Sequence, residues 1–133
     1  MAQQKKTNVI EVINPANGEK IGEVKSHTAE EAREAIGRAR LAQKHWEAVG
    51  IDERVRVVRR FKNVLLDRAQ EVSELISREN GKVLQEALEM EVFPIADLST
   101  YFTGRAREIL APRRIPLHLL KHRRSYVHYK ARG

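Results

Sequence analysis

The sequence predicts a mixed α/β chain: a β-hairpin, four mainly helical segments of which the last is long and kinked, and a two-stranded basic β arm. Three observations carry that reading. Short β-branched runs flank a turn at residues 14–18, apolar residues recur at three- and four-residue spacing from about 29 to 110, and alternation returns among basic residues beyond Pro112.

Each element has a local reason. After a polar lead, Met1-Ala-Gln-Gln-Lys-Lys6, the runs Val9-Ile-Glu-Val-Ile13 and Lys20-Ile-Gly-Glu-Val-Lys25 are separated by Asn14-Pro-Ala-Asn-Gly18. Pro15 fixes its own φ there and Asn17-Gly18 supply left-handed geometry, so a hairpin is expected. Thr28-Ala-Glu-Glu31 matches a capping box, and Ala32, Ala35, Ile36, Ala39, Ala42 and Trp46 form the apolar face of a first helix ending near Ala48. Asp52 is the expected N-cap of a second helix, with Val55, Val58 and Phe61 on its buried side together with Val57, Val64 and Leu65. A third carries Ala69, Val72, Leu75 and Ile76 and stops at Asn80-Gly81, because glycine tolerates the left-handed cap.

From Lys82 a periodic stretch runs to about Leu110 through Leu84, Ala87, Leu88, Val92, Ile95, Leu98 and Phe102. Pro94 lies inside it. An interior proline costs about 3 kcal/mol and biases the residue before it away from helix, so a kink or break is expected at Phe93. Beyond Pro112, Arg113-Arg-Ile-Pro-Leu117 and Ser125-Tyr-Val-His-Tyr-Lys130 read as two strands. Two strands alone are marginal in water and call for a sheet from elsewhere. The division expected is a hairpin-and-helix unit over 1–112 followed by a basic β arm over 113–133.

Composition narrows the possible functions. A chain of 133 residues suits one domain, or part of a larger one. It holds no cysteine, which excludes disulfides, thiolate metal sites and a cysteine nucleophile together. No apolar run approaches the ~20 residues of a membrane span and the start is not signal-like, so a cytoplasmic setting is expected. The net charge of +7 is uneven: residues 105–133 carry nine Lys or Arg against the single acid Glu108. A basic end of this kind suits nucleic acid, a membrane surface or an acidic partner.

Several motifs have plainer explanations. Gly81-Lys82 lacks the upstream glycine and the Ser/Thr of a phosphate loop, Val83 standing in that place, so a helix cap is the better reading. His118 and His122 have the spacing of a helical metal pair, but Pro116 precedes them and no third ligand is near in sequence, so no metal site is expected. Paired carboxylates such as Glu30-Glu31, Glu86-Glu89 and Glu89-Glu91 fall on helices rich in bases and read as solvated faces.

Asn14-Pro-Ala-Asn-Gly-Glu19 resembles the opening of the aldehyde dehydrogenase superfamily, and the order that follows is similar too. There come a T-A-E-E helix start, Trp46 near that helix's end, Glu53-Arg54 opening the next, Glu79-Asn-Gly-Lys82 resembling E-x-G-K, then Glu86, Glu91-Val92 and Tyr101-Phe102. The resemblance covers essentially everything from residue 8 onward. It implies an aldehyde dehydrogenase-like N-terminal part of a parent enzyme that oxidises aldehydes to carboxylic acids with NAD or NADP, through a cysteine thiolate and a glutamate-activated water. In such enzymes the cofactor loop, the base and the nucleophile lie beyond the matched stretch. Catalytic and cofactor-binding residues are therefore expected to be absent, and the chain to be a truncated fragment, inactive alone. By the same resemblance Met90, Pro94 and Leu98 lie near the aldehyde entrance, as a candidate substrate passage.

The departures from the family pattern are Pro94 and the basic 113–124 segment. The partners implied are the remainder of the parent enzyme or a second subunit in a homo-oligomer, with neither membrane nor nucleic acid. Nucleic-acid binding by the tail is favoured by charge and by Tyr126 and Tyr129, but Ile115, Leu117 and Val127 favour a subunit arm. The alternative is a stand-alone non-catalytic module that self-associates or binds an acidic partner through its basic tail.

Overall fold

A computed structural model describes residues 9–131; the polar lead at 1–6 lies outside the described residues. Strands β1 (Val9–Ile13) and β2 (Lys20–Lys25) pair antiparallel, from Val9 opposite Lys25 to Ile13 opposite Lys20, with a bulge between Val12 and Ile13. Of the two residues expected to turn left-handed, only Gly18 does so, at φ 75°. Asn17 instead accepts from the Glu19 N–H at 3.0 Å through its side chain, and Asn14 accepts from the Ala16 N–H at 2.9 Å. The Asn14 N–H donating to the Glu19 carbonyl and the Gly18 N–H to the Asn14 carbonyl, both at 2.8 Å, close the turn beside these side-chain bonds, with positive φ at Gly18 alone.

Helix α1 (Ala29–Ala48) begins in the expected capping box: the Glu31 N–H donates to Thr28 Oγ1 at 3.2 Å and the Thr28 N–H to Glu31 Oε2 at 2.9 Å. Helix α2 (Ile51–Asp67) differs at its start. Gly50 takes the N-cap position at φ 87°, so Asp52 falls in the first turn rather than capping it. Its carboxylate accepts from Arg107 Nε at 2.7 Å instead. Helix α3 (Ala69–Asn80) ends as expected on left-handed Gly81, φ 72°.

The long helix does not break at Pro94. Helix α4 (Leu84–Ala87) runs into a π segment (Leu88–Val92) and on into α5 (Phe93–Leu110). Phe93, expected to leave the helix, has φ −61° and ψ −47° and donates its N–H five residues back to the Leu88 carbonyl. Widening the ladder immediately ahead of the proline eases the clash that an interior Pro makes with the carbonyl four residues earlier. Beyond Pro112, β3 (Arg113–Ile115) and β4 (Ser125–Val127) form a second antiparallel pair, Arg113 opposite Val127, shorter than the two runs predicted.

The core is small and sits at one place. Ala87, Val92 and Ala96 are the buried apolar residues among those described, and Ser73 of α3 is buried beside them. The expected stripes of α1 and α2 are not covered: neither helix has a buried residue, and Ile36, Trp46, Val58 and Phe61 are exposed. α2 lies along α5 but leaves Val58 and Phe61 exposed, and α1 has no comparable neighbour among the described elements.

The accessible surface makes the point quantitatively. It is 11582 Å², where a compact monomer of this mass exposes about 7,100 Å². The terminal residues outside the described range account for at most about 1,600 Å² even if fully extended. Large apolar side chains stay exposed on α1, α2 and α5, among them Ile36, Leu41, Phe61, Val64 and Phe102.

Candidate functional site

Two constellations bring distant parts of the sequence together. The first is the corner at Glu79-Asn-Gly-Lys82. Its backbone is fixed by the Gly81 N–H donating to the Ser77 carbonyl at 2.8 Å, Ser77 Oγ to the Lys82 carbonyl at 2.6 Å, and Asn80 Nδ2 to the Ile76 carbonyl at 3.3 Å. From that corner the Lys82 ammonium reaches across to pair with Glu91 of the π segment. A Cβ placed on Gly81 would stand 2.9 Å from Cγ of Pro15 in the hairpin turn. The hairpin turn, the α3 cap and the π segment therefore meet around one glycine. They are three of the motifs on which the sequence resemblance rests.

The second constellation joins α2 to α5. Arg107 pairs with Asp52, Arg59 Nη2 donates to the Thr103 carbonyl at 3.4 Å, and Lys62 Nζ donates to Thr100 Oγ1 at 3.3 Å. Beside this polar seam lies an open apolar groove of about 200 Å³, lined in part by Trp46, Val58, Phe102 and Ala106. A larger cleft of about 620 Å³ opens where Glu47, Ile51 and Arg54 face Leu110 and Tyr129. On α5, Tyr101 packs edge-on to Phe102 at 5.2 Å between ring centroids and receives the Arg105 guanidinium over its face at 5.4 Å.

The resolved electrostatic shifts all favour charged forms. Glu31 is held down to about 2, first by the Thr28 backbone N–H and then by Lys25, while Arg68 lowers Glu71 and Arg105 lowers Glu108. Lys20 is raised by Glu11 and Glu23. Acid–base catalysts need the opposite, a group poised to change protonation near neutrality. These are exposed structural ion pairs.

A dinucleotide pyrophosphate needs a strand that runs through a glycine-rich turn onto an open helix N-terminus. In this structure β2 leads to α1, whose N-terminus is already occupied by Thr28 and Glu31. Gly50 opens α2, but Asp52 and Glu53 in the first turn oppose an anion. The described residues do not fit the cofactor.

Of the candidate passage residues, Met90 lies in the π segment and is 66% exposed, Pro94 is half-buried in the first turn of α5, and Leu98 is 52% exposed one turn on. Four-residue spacing aligns them along the long helix, well away from the polar seam's Arg107 end. His118 and His122 fall in the irregular loop between β3 and β4, not at helical spacing. The Pro15–Gly81 contact and the Lys82–Glu91 and Arg107–Asp52 pairs were not anticipated; each joins residues whose proximity has no signal in a single sequence.

Comparison with known proteins agrees with this geometry. The model of the "Aldehyde dehydrogenase family" matches residues 1–133. The lactaldehyde dehydrogenase of Escherichia coli (strain K12) is 40% identical over 98 residues, which is 74% of this chain and 20% of that protein. Among solved structures, an E. coli NADP-dependent enzyme is 32% identical with a TM-score of 0.76, over 85% of this chain and 23% of that one. PnpE in complex with nicotinamide adenine dinucleotide shares the fold at 24% identity and a TM-score of 0.75, over 84% of this chain and 23% of that one. The chain thus spans about a fifth of the curated relative and a little under a quarter of the solved ones. The fold of this chain matches the N-terminal part of those structures, and this chain belongs to the aldehyde dehydrogenase family.

Proposed function

We propose that this chain serves as the N-terminal segment of an NAD(P)-dependent enzyme that oxidises aldehydes to carboxylic acids, supplying scaffold rather than reacting groups. The observation that carries this is the set of large apolar side chains left exposed on α1, α2 and α5, in a chain whose total accessible surface exceeds that of a compact monomer. A surface of that kind is built to be covered, and the family supplies polypeptide of the required size. In the assembled enzyme Met90, Pro94 and Leu98 front the aldehyde passage, and β3–β4 begin the subunit arm.

Reading the gene past the Gly133 codon tests the proposal. An in-frame proline-tryptophan-asparagine segment followed by a cysteine is expected, and an immediate stop codon argues for the stand-alone module. Within an assembled enzyme, substituting Met90 or Leu98 should change the preference among aldehydes; unchanged preference removes the passage assignment.

The second reading, a self-associating module, is favoured by one observation. The arm's bases have no acidic partner within the chain among the described residues.

A further inference from the structure

We infer that one face of the β3–β4 ribbon is a binding surface for single-stranded nucleic acid. The inference rests on how the ribbon divides its side chains between two faces and is independent of the scaffold role. Register makes the division. Arg114 stands directly opposite Tyr126, and Arg124 and His128, two residues to either side of Tyr126, follow it onto the same face. The rings of Tyr126 and His128 lie 6.2 Å apart between centroids, as that alignment requires. All four residues are exposed, whereas Ile115, Leu117, Ser125 and Val127, which alternate with them, are half-buried. The apolar residues suited to a subunit contact thus occupy one face and leave the cationic, aromatic face free. Tyr129 goes with the apolar side, where it lines the cleft beside Leu110.

Charge and shape then select the partner. Residues 113–130 hold six bases and no acid. Among the described residues no carboxylate reaches Arg113, Arg114, Lys121, Arg123, Arg124 or Lys130 within ion-pair distance. Unpaired cations beside two exposed rings match a run of phosphates that carries flat bases, because the cations hold the backbone and each ring offers a stacking platform.

Other polyanions use less of this face. An acidic peptide would satisfy the cations and leave the rings without a role. A duplex keeps its bases stacked on one another, and strands of three residues, about 10 Å, are too short to follow its groove. An anionic membrane surface needs an apolar side to bury, and the exposed leucines Leu119 and Leu120 lie in the loop between the strands rather than on this face.

Fluorescence anisotropy of a labelled oligo-dT of about 15 nucleotides, titrated with the 133-residue chain, tests this. Four phosphate contacts, each worth about −0.7 in the slope of log affinity against log salt, should weaken binding about fiftyfold between about 50 and 200 mM salt. Arg114→Gln combined with Arg124→Gln should make that slope shallower by about 1.4. Tyr126→Ala should weaken binding about tenfold or more at an unchanged slope, and Tyr126→Phe should bind as the wild type does, since a ring without its hydroxyl still stacks. Wild-type affinity in Tyr126→Ala overturns the proposal, and so does tighter binding of a duplex of the same length. Displacement of the oligonucleotide by poly-glutamate as readily as by unlabelled oligo-dT, or by phosphatidylserine vesicles in a manner that needs Leu119 and not Tyr126, assigns the face to a peptide or to lipid and also overturns it. Should Tyr126→Ala disturb the circular dichroism, Tyr126→Val, a good strand former without a ring, decides: weaker binding supports the stack, and wild-type binding refutes it.

Discussion

Gly81 is the residue on which the local architecture turns, because two separate constraints fall on it. Its φ of 72° lies where a Cβ is unfavourable, and that Cβ would also stand 2.9 Å from Cγ of Pro15. Gly50 carries only the first constraint: its φ is 87°, but open space surrounds the position of a Cβ. Gly50→Ala is therefore expected to lower stability by about 1–3 kcal/mol, the cost of a Cβ at φ 87° and ψ 165°, where essentially only glycine is found. Gly81→Ala should carry the cost of a left-handed residue and the clash together, and Pro15→Ala should recover the clash alone. Urea midpoints of the single variants and the Pro15→Ala/Gly81→Ala double variant measure this, and a Gly81→Ala loss that Pro15→Ala leaves unchanged refutes the steric claim. Glu31 gives a second residue-scale test. Its carboxyl is depressed to about 2 by the Thr28 N–H and by Lys25, so its contribution to stability is complete above its ordinary value of 4.5 and is lost as pH falls through about 2. Carbon-detected NMR titration should place the Glu31 midpoint well below its ordinary value of 4.5, and Lys25→Ala should move it part of the way back.

At the scale of elements, the packed part of the molecule is the wedge of α3, α4, the π segment and the start of α5. Val92→Ala removes two methyl groups from the best buried large side chain there and should cost about 2 kcal/mol. The Asp52–Arg107 pair between α2 and α5 is 61% and 71% exposed, so a double-mutant cycle should give a coupling below about 1 kcal/mol. A larger coupling would mean that this exposed pair itself holds α2 to α5 more than their apolar contacts do. Sequence and structure agree best where the signal is local. The Thr28–Glu31 box and the Asn80-Gly81 stop are both written within a few residues, and both helix ends stand where the sequence puts them. Asp52 was misplaced because Gly50, two residues earlier, adopts a φ that no propensity for capping reveals. At Pro94 the penalty was legible and its relief was not: the rule says that a hydrogen bond is lost, but not that the ladder ahead of the proline widens into a π segment.

For the whole molecule, periodicity identified which helix faces are apolar but not whether anything covers them, since covering is a property of neighbours absent from a local pattern. The same limit applies to the candidate site. The ordered motifs named the family, while the meeting of Pro15, Gly81 and the π segment needed three-dimensional proximity. The distribution of burial predicts how the chain behaves by itself. Local opening costs little where few apolar contacts resist it, and amide exchange reads that cost residue by residue. On the isolated chain, exchange should be slowest between Ser73 and Ala96, around the buried Ala87 and Val92, and fast throughout α1, which has no buried residue. Polypeptide that covers α1 and α2, supplied as the remaining parts of a family enzyme, should slow exchange in those two helices most, because they hold the largest uncovered faces. Uniform protection of α1 and the wedge in the isolated chain would show that the chain closes its own core and would remove the argument for a missing covering layer. A chain whose α1 exchanges freely should likewise reduce no NAD with any aldehyde, since the thiolate on which the family's chemistry depends has no counterpart in a sequence without cysteine. Turnover by the pure species would overturn the assignment of a scaffold role.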